Sequence, residues 1–555
     1  MKSHRIAASL FVVTLSLAAC GDNLWQVPSG SEIVAENDNQ TGLAGASLAA
    51  PLRIRVVDEG GNGVPGVSVS WIALGGGLLA PDERTDANGY AEATWVLPTR
   101  AGTVSARVQA GTLSHSFYAK TLPAAPVSLE LGVAALDLER DGTAPIAVDA
   151  VDEHGNEVGA ELLTWSSSDE RIASVSDDGI VTAHRRGETV ITVAGGGMTA
   201  DVQVTVPGAA WKEIGTGAFY TCGLTGDGRA WCWGENFAGR LGIASSAPYV
   251  STPQPVAGNH TFDRIIPGTA STCALTANGA AWCWGTSFSG ELGVSANGAR
   301  FDTPVRVADG LTFDDFGMGS AYACGLTAFG ELYCWGAAPH LTEPTHVPSR
   351  VDAGPFIDFA AGEYHACGLD VEGSVWCWGE GIHGELGHGD MLSSTVPVKV
   401  SGDRQFTSLA AGWRRTCAID VQERAVCWGV GLYQEHVPTP RVVNGTRAFV
   451  ALAIGPYYTC GLTADGAAYC WGWSGSGGVG SVFDTRTWLL HPTRVDAAEE
   501  FTSIAADGIG DHTCAITVQR EAWCWGSNQY GQIGDASPGV DRHTPVRVHD
   551  PPVQP

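Results

Sequence analysis

Cys222-Gly-Leu-Thr-Gly-Asp-Gly-Arg-Ala-Trp-Cys-Trp-Gly234 decides how this chain folds, because recognisable copies of it return six more times before the C-terminus. The cysteines stand at 222/232, 273/283, 324/334, 367/377, 417/427, 460/470 and 514/524, always with nine residues between partners, and Trp-Gly follows every second one. Between them an apolar run breaks at Asp227-Gly228, Asn278-Gly279 or Asp465-Gly466, dipeptides suited to a tight turn because Gly and Asn tolerate positive φ. A hairpin centred there sets the two cysteines opposite each other, roughly 4.5 to 5.5 Å apart at Cα, a separation that a disulfide can bridge. Seven local disulfides are expected: Cys222–Cys232, Cys273–Cys283, Cys324–Cys334, Cys367–Cys377, Cys417–Cys427, Cys460–Cys470 and Cys514–Cys524. Zinc would require close Cys-x-x-Cys knuckles or histidines at ligand spacing, and the repeats have neither. Glu423 and Arg520 replace the turn glycine, so those two hairpins are expected to turn differently.

Outward from the hairpins, Trp211, Phe262, Phe313, Phe356, Phe406, Phe449 and Phe501 open units spaced 51, 51, 43, 50, 43 and 52 residues apart, the period of a propeller or solenoid. Each unit reads as four short strands; in the fourth these are Phe356 to Ala361, Tyr364 to Leu369, Ser374 to Trp378 and Val396 to Val400. A proline recurs in the last strand at 253, 304, 348, 397, 440, 492 and 545. Proline cannot donate to a ladder, which places that strand at the outer edge of a blade. Seven units of four strands make a seven-bladed β-propeller. The aromatic that precedes the second cysteine in six of the units (Trp231, Trp282, Tyr333, Trp376, Tyr469 or Trp523) shares a side with the Trp-Gly tryptophan, and these rings are expected to fill the interfaces between blades.

Four units add Gly-x-Leu/Ile-Gly after the hairpin, at 239–242, 290–293, 384–387 and 531–534. Together with Leu-Thr, Asp-Gly, Trp-Gly and Asn236 or Asn528, this box resembles the repeat of the regulator of chromosome condensation family over residues 211 to 548. The two 43-residue units, three and five, lack the box, and unit six has only Gly477-Gly-Val-Gly480. The resemblance implies a propeller that binds macromolecules. It also raises guanine-nucleotide exchange as an alternative, which an exported chain without a long wedge insertion does not favour.

Upstream, residues 1–20 read as a signal peptide: Lys2, His4 and Arg5, an apolar run from Ile6 to Leu17, then Leu17-Ala-Ala-Cys20. The last four resemble the bacterial lipobox, which implies acylation of Cys20 and stable anchoring by more than one chain. Gly21 follows the cysteine, so the expected location is the outer membrane, facing the periplasm or the cell surface. Residues 21–30 form a polar tether. From 31 to 123, alternating runs such as Leu52 to Val57 and Ala91 to Trp95 are separated by Gly/Asn turns, the pattern of an antiparallel sandwich. The segments 63–71 and 85–95 resemble the Ig-like domains of intimin and invasin stalks, with Trp71 and Trp95 expected in the core. From 124 to 207, Thr164-Trp-Ser-Ser-Ser-Asp169 and Asp177-Asp-Gly-Ile-Val-Thr-Ala183 resemble the group-two bacterial Ig-like family, and Asp177 and Asp178 are expected in a turn. The fold class is therefore all-β: two Ig-like β-sandwiches, then a seven-bladed propeller over 208–555 with one disulfide per blade.

Composition narrows the function. A formal net charge of −28 repels phosphate backbones, which argues against a nucleic-acid partner. No Gly-x-Ser-x-Gly elbow, phosphate loop or His-Glu-x-x-His occurs, so no catalytic residue, metal or cofactor is assigned. His365, His383 and His388 with Asp390 are the one grouping that a polysaccharide-cleaving enzyme could use; a purely structural envelope role is a further alternative. Residues that differ among otherwise equal repeats are better candidates for function: Phe219-Tyr220, Tyr322, Tyr364-His365, Trp413-Arg414-Arg415, Tyr457-Tyr458 and Asp511-His512. They fall in the turn between the first two strands and are expected to ring one rim of the propeller, where Tyr, Trp and Arg would contact a protein or glycan partner.

Overall fold

A computed structural model describes residues 27–294, 298–445, 447–481, 487–507 and 509–551; Cys20 and most of the tether lie outside them. The chain divides into two compact units, 1–207 and 208–555.

The N-terminal unit holds two sheet assemblies. In the first, a sheet ordered Glu32–Glu36, Leu52–Val57, Tyr90–Val96, Gly77–Leu79 accompanies one ordered Gln40–Leu43, Leu113–Leu122, Gly102–Ala110, Val69–Ala73. Their inward residues, including Ile54, Trp95, Val108 and Phe117, make one core. Trp95 is fully buried and its Nε1 donates to the Gly75 carbonyl at 2.9 Å. Trp71 lies less deep than expected: half-buried, it stacks on Phe117 and donates to the Asp82 carbonyl. The second assembly centres on the long hairpin Gly187–Gly195 and Met198–Val206, with a core including Ile191, Val202 and Val204. Asp177 and Asp178 occupy the turn joining Ala173–Val175 to Ile180–Ala183.

The two assemblies are braced by one buried carboxylate. Burial of Asp152 opposes its ionisation, but donors from the Asn156 side chain and the Ala124, Asn156 and His154 amides hold its carboxyl well below the usual range. Asn156, fixed this way, donates to the Thr99 carbonyl at 2.7 Å and accepts from the Ala101 amide at 2.8 Å.

The C-terminal unit contains seven four-stranded antiparallel sheets, each built from four consecutive strands, counted here as blades one to seven. Blade one runs through Trp211–Thr216, Tyr220–Thr225, Ala230–Glu235 and Tyr249–Pro255. The fourth strand of each blade, which carries the recurrent proline, is a sheet edge, as expected. The ring closes without strand exchange: the Trp211 amide of blade one donates to the Arg520 carbonyl of blade seven at 2.9 Å. All seven disulfides join directly opposed cysteines whose Cα atoms are 4.0 to 4.1 Å apart. In six interfaces the bridge of one blade packs against the opening aromatic and Trp-Gly ring of the next, as Cys367–Cys377 does on Phe406 and Trp428.

The Gly-x-Leu-Gly box locks this joint. Its second residue presents a carbonyl to the next blade's indole: Trp284 donates to Arg240, Trp335 to Glu291, Trp428 to Glu385, Trp525 to Gly478 and Trp233 to Gln532, all at 2.8 to 3.0 Å. Gly477-Gly-Val-Gly480 of blade six therefore acts as a full box, despite lacking the Leu or Ile. The closing glycine of each box is left-handed and abuts the same ring; a Cβ on Gly387 (φ +65°) would lie 2.7 Å from Trp428 Nε1.

Glu423 and Arg520 correct the expectation of different turns. Both adopt positive φ (61° and 63°) like the glycines they replace, and Asp420 and Thr517 donate across the turn to the Arg424 and Glu521 carbonyls as Thr225 does to Arg229. The same turn is made with a backbone that a side chain disfavours. A pair of substitutions of opposite sign is predicted: Gly387→Ala destabilises the propeller by about 2 to 4 kcal/mol through strain and collision, whereas Glu423→Gly stabilises it by about 1 kcal/mol. Thermal or denaturant unfolding of the two variants checks both.

Candidate interaction face

In blades one to six the link between first and second strands is a tight turn closed by a glycine amide, as Gly362 donates to the His365 carbonyl at 2.8 Å and Gly412 to that of Arg415 at 2.9 Å. The residue after the link is two positions before the cysteine, and strand alternation aims it with the cysteine toward the next blade. This moves six of the ten candidate rim residues off the surface. Tyr220, Tyr322, His365, Arg415, Tyr458 and His512 are buried in the joints.

There they form a ring of couplings with the residue preceding the next blade's cysteine. Tyr220 Oη lies 2.9 Å from Thr272 Oγ1, His365 Nε2 2.8 Å from Thr416 Oγ1, and Arg415 Nη1 donates to Thr459 Oγ1 at 3.1 Å. Tyr458 Oη is 2.9 Å from Thr513 Oγ1, and His512 Nε2 2.9 Å from Thr221 Oγ1, which closes the ring between blades seven and one. Where the partner is Ala366, Tyr322 donates instead to the Gly362 and His365 carbonyls. Thr416 and Thr221 each give their one hydroxyl proton to a box carbonyl, Glu385 or Gln532, so the facing histidine nitrogens are the donors. Burial lowers the pKa of His365 to about 4 and of His512 to about 3, keeping both neutral.

Four of the ten stay accessible. Tyr364 is exposed, Trp413 and Tyr457 meet edge-on at 5.3 Å, and the Arg414 guanidinium lies 4.4 Å over the Trp413 ring. Phe219, exposed in the equivalent link of blade one, meets Tyr530 at 5.7 Å. The links between third and fourth strands open on the same face, since antiparallel order returns the chain there. They add exposed Phe237, Phe288 and Tyr433, with Tyr433, Trp488 and Trp473 forming a run of rings 5.4 and 5.6 Å apart. Glu363 and Asp511 stand among them with carboxyls raised by burial; Asp511 accepts from Ser476 Oγ at 3.0 Å.

The histidine grouping does not converge: His365 is committed to Thr416, while His383 packs edge-on against His436 at 4.9 Å. Among the described residues no group of three or more His, Cys, Asp or Glu could hold a metal.

The comparisons fit this architecture. The Regulator of chromosome condensation (RCC1) repeat matches at residues 211–240, 356–385, 449–477 and 501–532, and a second description of the same repeat at 372–419. The C-terminal unit carries RCC1 repeats. A bacterial Ig-like domain (group 2) matches residues 149–206 of the N-terminal unit. The chain is similar to the human E3 ubiquitin-protein ligase HERC2, 32% identical over 22% of this chain and 3% of that protein. It is also similar to the mitochondrial RCC1 domain-containing protein RUG3 of Arabidopsis thaliana, 32% identical over 22% of this chain and 28% of that one. The chain thus spans under a third of either relative. Among solved structures, Prp20p of Saccharomyces cerevisiae, described with its binding to Gsp1p and histones, superposes with a TM-score of 0.53 at 22% identity, over 58% of this chain and 85% of that one. Human WBSCR16 gives 0.51 at 18%, over 57% and 89%. At these identities the likeness is one of fold. The Ig-like match and the seven disulfides point to an extracellular protein. No helix among the described residues is long and apolar enough to cross a membrane.

The buried histidines make the RCC1 propeller sensitive to acid. The unfolded chain holds its imidazoles near pKa 6.5 and the fold holds His512 at about 3, so protons favour the unfolded state. The histidine's contribution is present above about pH 6.5 and falls by about 1.4 kcal/mol per pH unit until the folded pKa is reached. In denaturant titrations from pH 7 to pH 4, the stability difference between wild type and His512→Gln, which keeps a donor but does not titrate, is predicted to shrink on that slope.

Proposed function

We propose that this protein is an exported, lipid-anchored component of the cell envelope, in which Cys20 carries the acyl anchor at the outer membrane. Two Ig-like domains, residues 31–123 and 124–207, then hold the RCC1 propeller away from the lipid to bind a macromolecule, a protein or a glycan. One observation carries this reading. The loops of one face differ from blade to blade and expose Phe219, Tyr364, Trp413, Tyr457, Phe237, Phe288 and Tyr433, none of which is needed to pack one blade on the next.

Exposed aromatic side chains cost solubility when they have no use, and rigid rings beside an arginine are what hot spots are made of. Bracing at Asp152 and Asn156 supports the stalk role, since a stiff spacer keeps the face presented. The binding of Gsp1p and histones described for Prp20p shows that an RCC1 propeller can serve as a docking module. The polysaccharide-enzyme reading loses one of its three histidines, since His365 is buried in a joint against Thr416.

Proximity crosslinking on intact cells, comparing wild type with Trp413→Ala/Arg414→Ala/Tyr457→Ala, tests the proposal; Tyr458, buried against Thr513, is left alone. The expected result is a partner captured by wild type and lost in the variant, with both proteins leaving the membrane fraction when Cys20 is changed to Ser. An unchanged crosslink pattern, or none, counts against the face; retention of Cys20→Ser in the membrane counts against the anchor.

A further inference from the structure

Five boxes fill equivalent spaces. Each presents its carbonyl to the next Trp-Gly indole and its first glycine to that blade's outer strand, as Gly384 lies against Pro438 and Gly531 against Ser251. Blades three and five have no box. In blade three the shorter link closes the space with its own apolar groups: Ala338 and Leu341 pack into the core around Trp378, whose indole nitrogen is left without an acceptor.

Blade five does not close it. Between blades five and six lies a cavity of about 320 Å³, walled by Trp471 and Leu490 of blade six and by Val437 and Val442 of blade five, with Arg415 and Arg441 also lining it. Trp471 and the outer strand holding Leu490 (Trp488–Arg494) are the two elements that a box would cover. Unlike its five counterparts, the Trp471 indole donates to no carbonyl among the described residues.

Arg415 brings a charge to this space. It is the one arginine among the joint residues, it is buried, and no carboxylate pairs with it among the described residues. Nε donates to the Val430 carbonyl at 2.5 Å, Nη1 to Thr459 Oγ1 at 3.1 Å and Nη2 to the Gly431 carbonyl at 3.3 Å, which leaves two of the five guanidinium protons. Glu435, the acid lining the cavity, is turned to Arg441 at 3.7 Å. Burial lowers the Arg415 pKa only to about 10, so the group stays cationic at neutral pH. A buried guanidinium without a counter-ion is costly, and a carboxylate is the anion that its geometry fits.

We propose that the cleft between blades five and six binds a carboxylate borne on an apolar body, with the carboxylate on Arg415 and the Trp471 indole and the body against Val437, Val442 and Leu490. The site borders the aromatic face through the blade-five link that carries Tyr433, but the proposal does not depend on that face binding a partner. The carboxylate could be supplied by a free organic acid or by the C-terminus of a partner polypeptide ending in an apolar residue.

Calorimetric titration of the full chain distinguishes these. The probes are phenylacetate and phenylacetamide, and a short peptide ending in Phe with a free or an amidated C-terminus. Wild type is expected to bind phenylacetate at one site with a Kd of about 1 mM or tighter, in the range open to so small a ligand. The amide should be about tenfold weaker or worse, Arg415→Met should lose binding, and Trp471→Phe, which removes the indole N–H but keeps an aromatic ring, should weaken it about threefold to tenfold. Tighter binding of the free peptide than of phenylacetate identifies a polypeptide terminus; equal or weaker binding identifies a small acid. The proposal is overturned if no probe saturates, if acid and amide bind alike, or if Trp471→Phe binds as wild type does. Should Arg415→Met fail to fold, the acid-to-amide ratio and Trp471→Phe decide.

Discussion

An indole N–H buried between two β-sheets costs free energy unless it finds an acceptor, and in five of its joints this propeller supplies one by bending the preceding blade's loop onto it. A buried donor left alone costs about 1 to 3 kcal/mol, and the ring contains seven Trp-Gly tryptophans. The box carbonyl meets five of them, and the threonines at 221, 272, 416 and 513 share four of those carbonyls. Because the box touches the next blade's ring and its outer strand at once, it fixes the angle between blades, and angles repeated seven times decide whether a ring closes. The disulfides serve the same joint from the other side, giving the next blade's aromatic rings a rigid surface to pack on.

The division of labour in each turn follows from alternation. One residue faces the next blade and is drawn into the coupling ring; its predecessor faces outward and is free to vary for a partner. In five joints Tyr, His or Arg faces Thr; in the other two Tyr322 stands opposite Ala366 and turns to backbone carbonyls, and Ser271 stands opposite the small Ala323. A substitution on one side of a joint therefore needs its partner considered. The irregular joints are informative for the same reason. Blade three pays for its missing box with the unpartnered Trp378 nitrogen, whereas blade five leaves a cavity beside a buried arginine.

Much of this could be read in the chain itself. Nine-residue cysteine spacing, turn dipeptides and the edge prolines specify the blade because each has a single geometric meaning, and seven copies agree on it. The rim was harder. Tyr220, His365 and Arg415 vary between repeats as binding residues do, and their variation reflects pairing across a joint that brings together residues about 50 positions apart. Parity with the cysteine, two residues on, was the signal that separates them from Phe219, Tyr364 and Arg414. The turns at Glu423 and Arg520 misled for the opposite reason: surrounding hydrogen bonds impose the left-handed backbone on residues that do not favour it. Nothing in the missing box of blade five announces a cavity, since the similar deletion in blade three is closed.

The indole-to-carbonyl joint is tested most directly by hydrogen exchange at the indole nitrogens of a ¹⁵N-tryptophan-labelled sample. It predicts slow exchange for Trp233, Trp284, Trp335, Trp428 and Trp525 and markedly faster exchange for Trp471. Protection of Trp471 equal to that of the five, or exchange of the five as fast as Trp471, would contradict it.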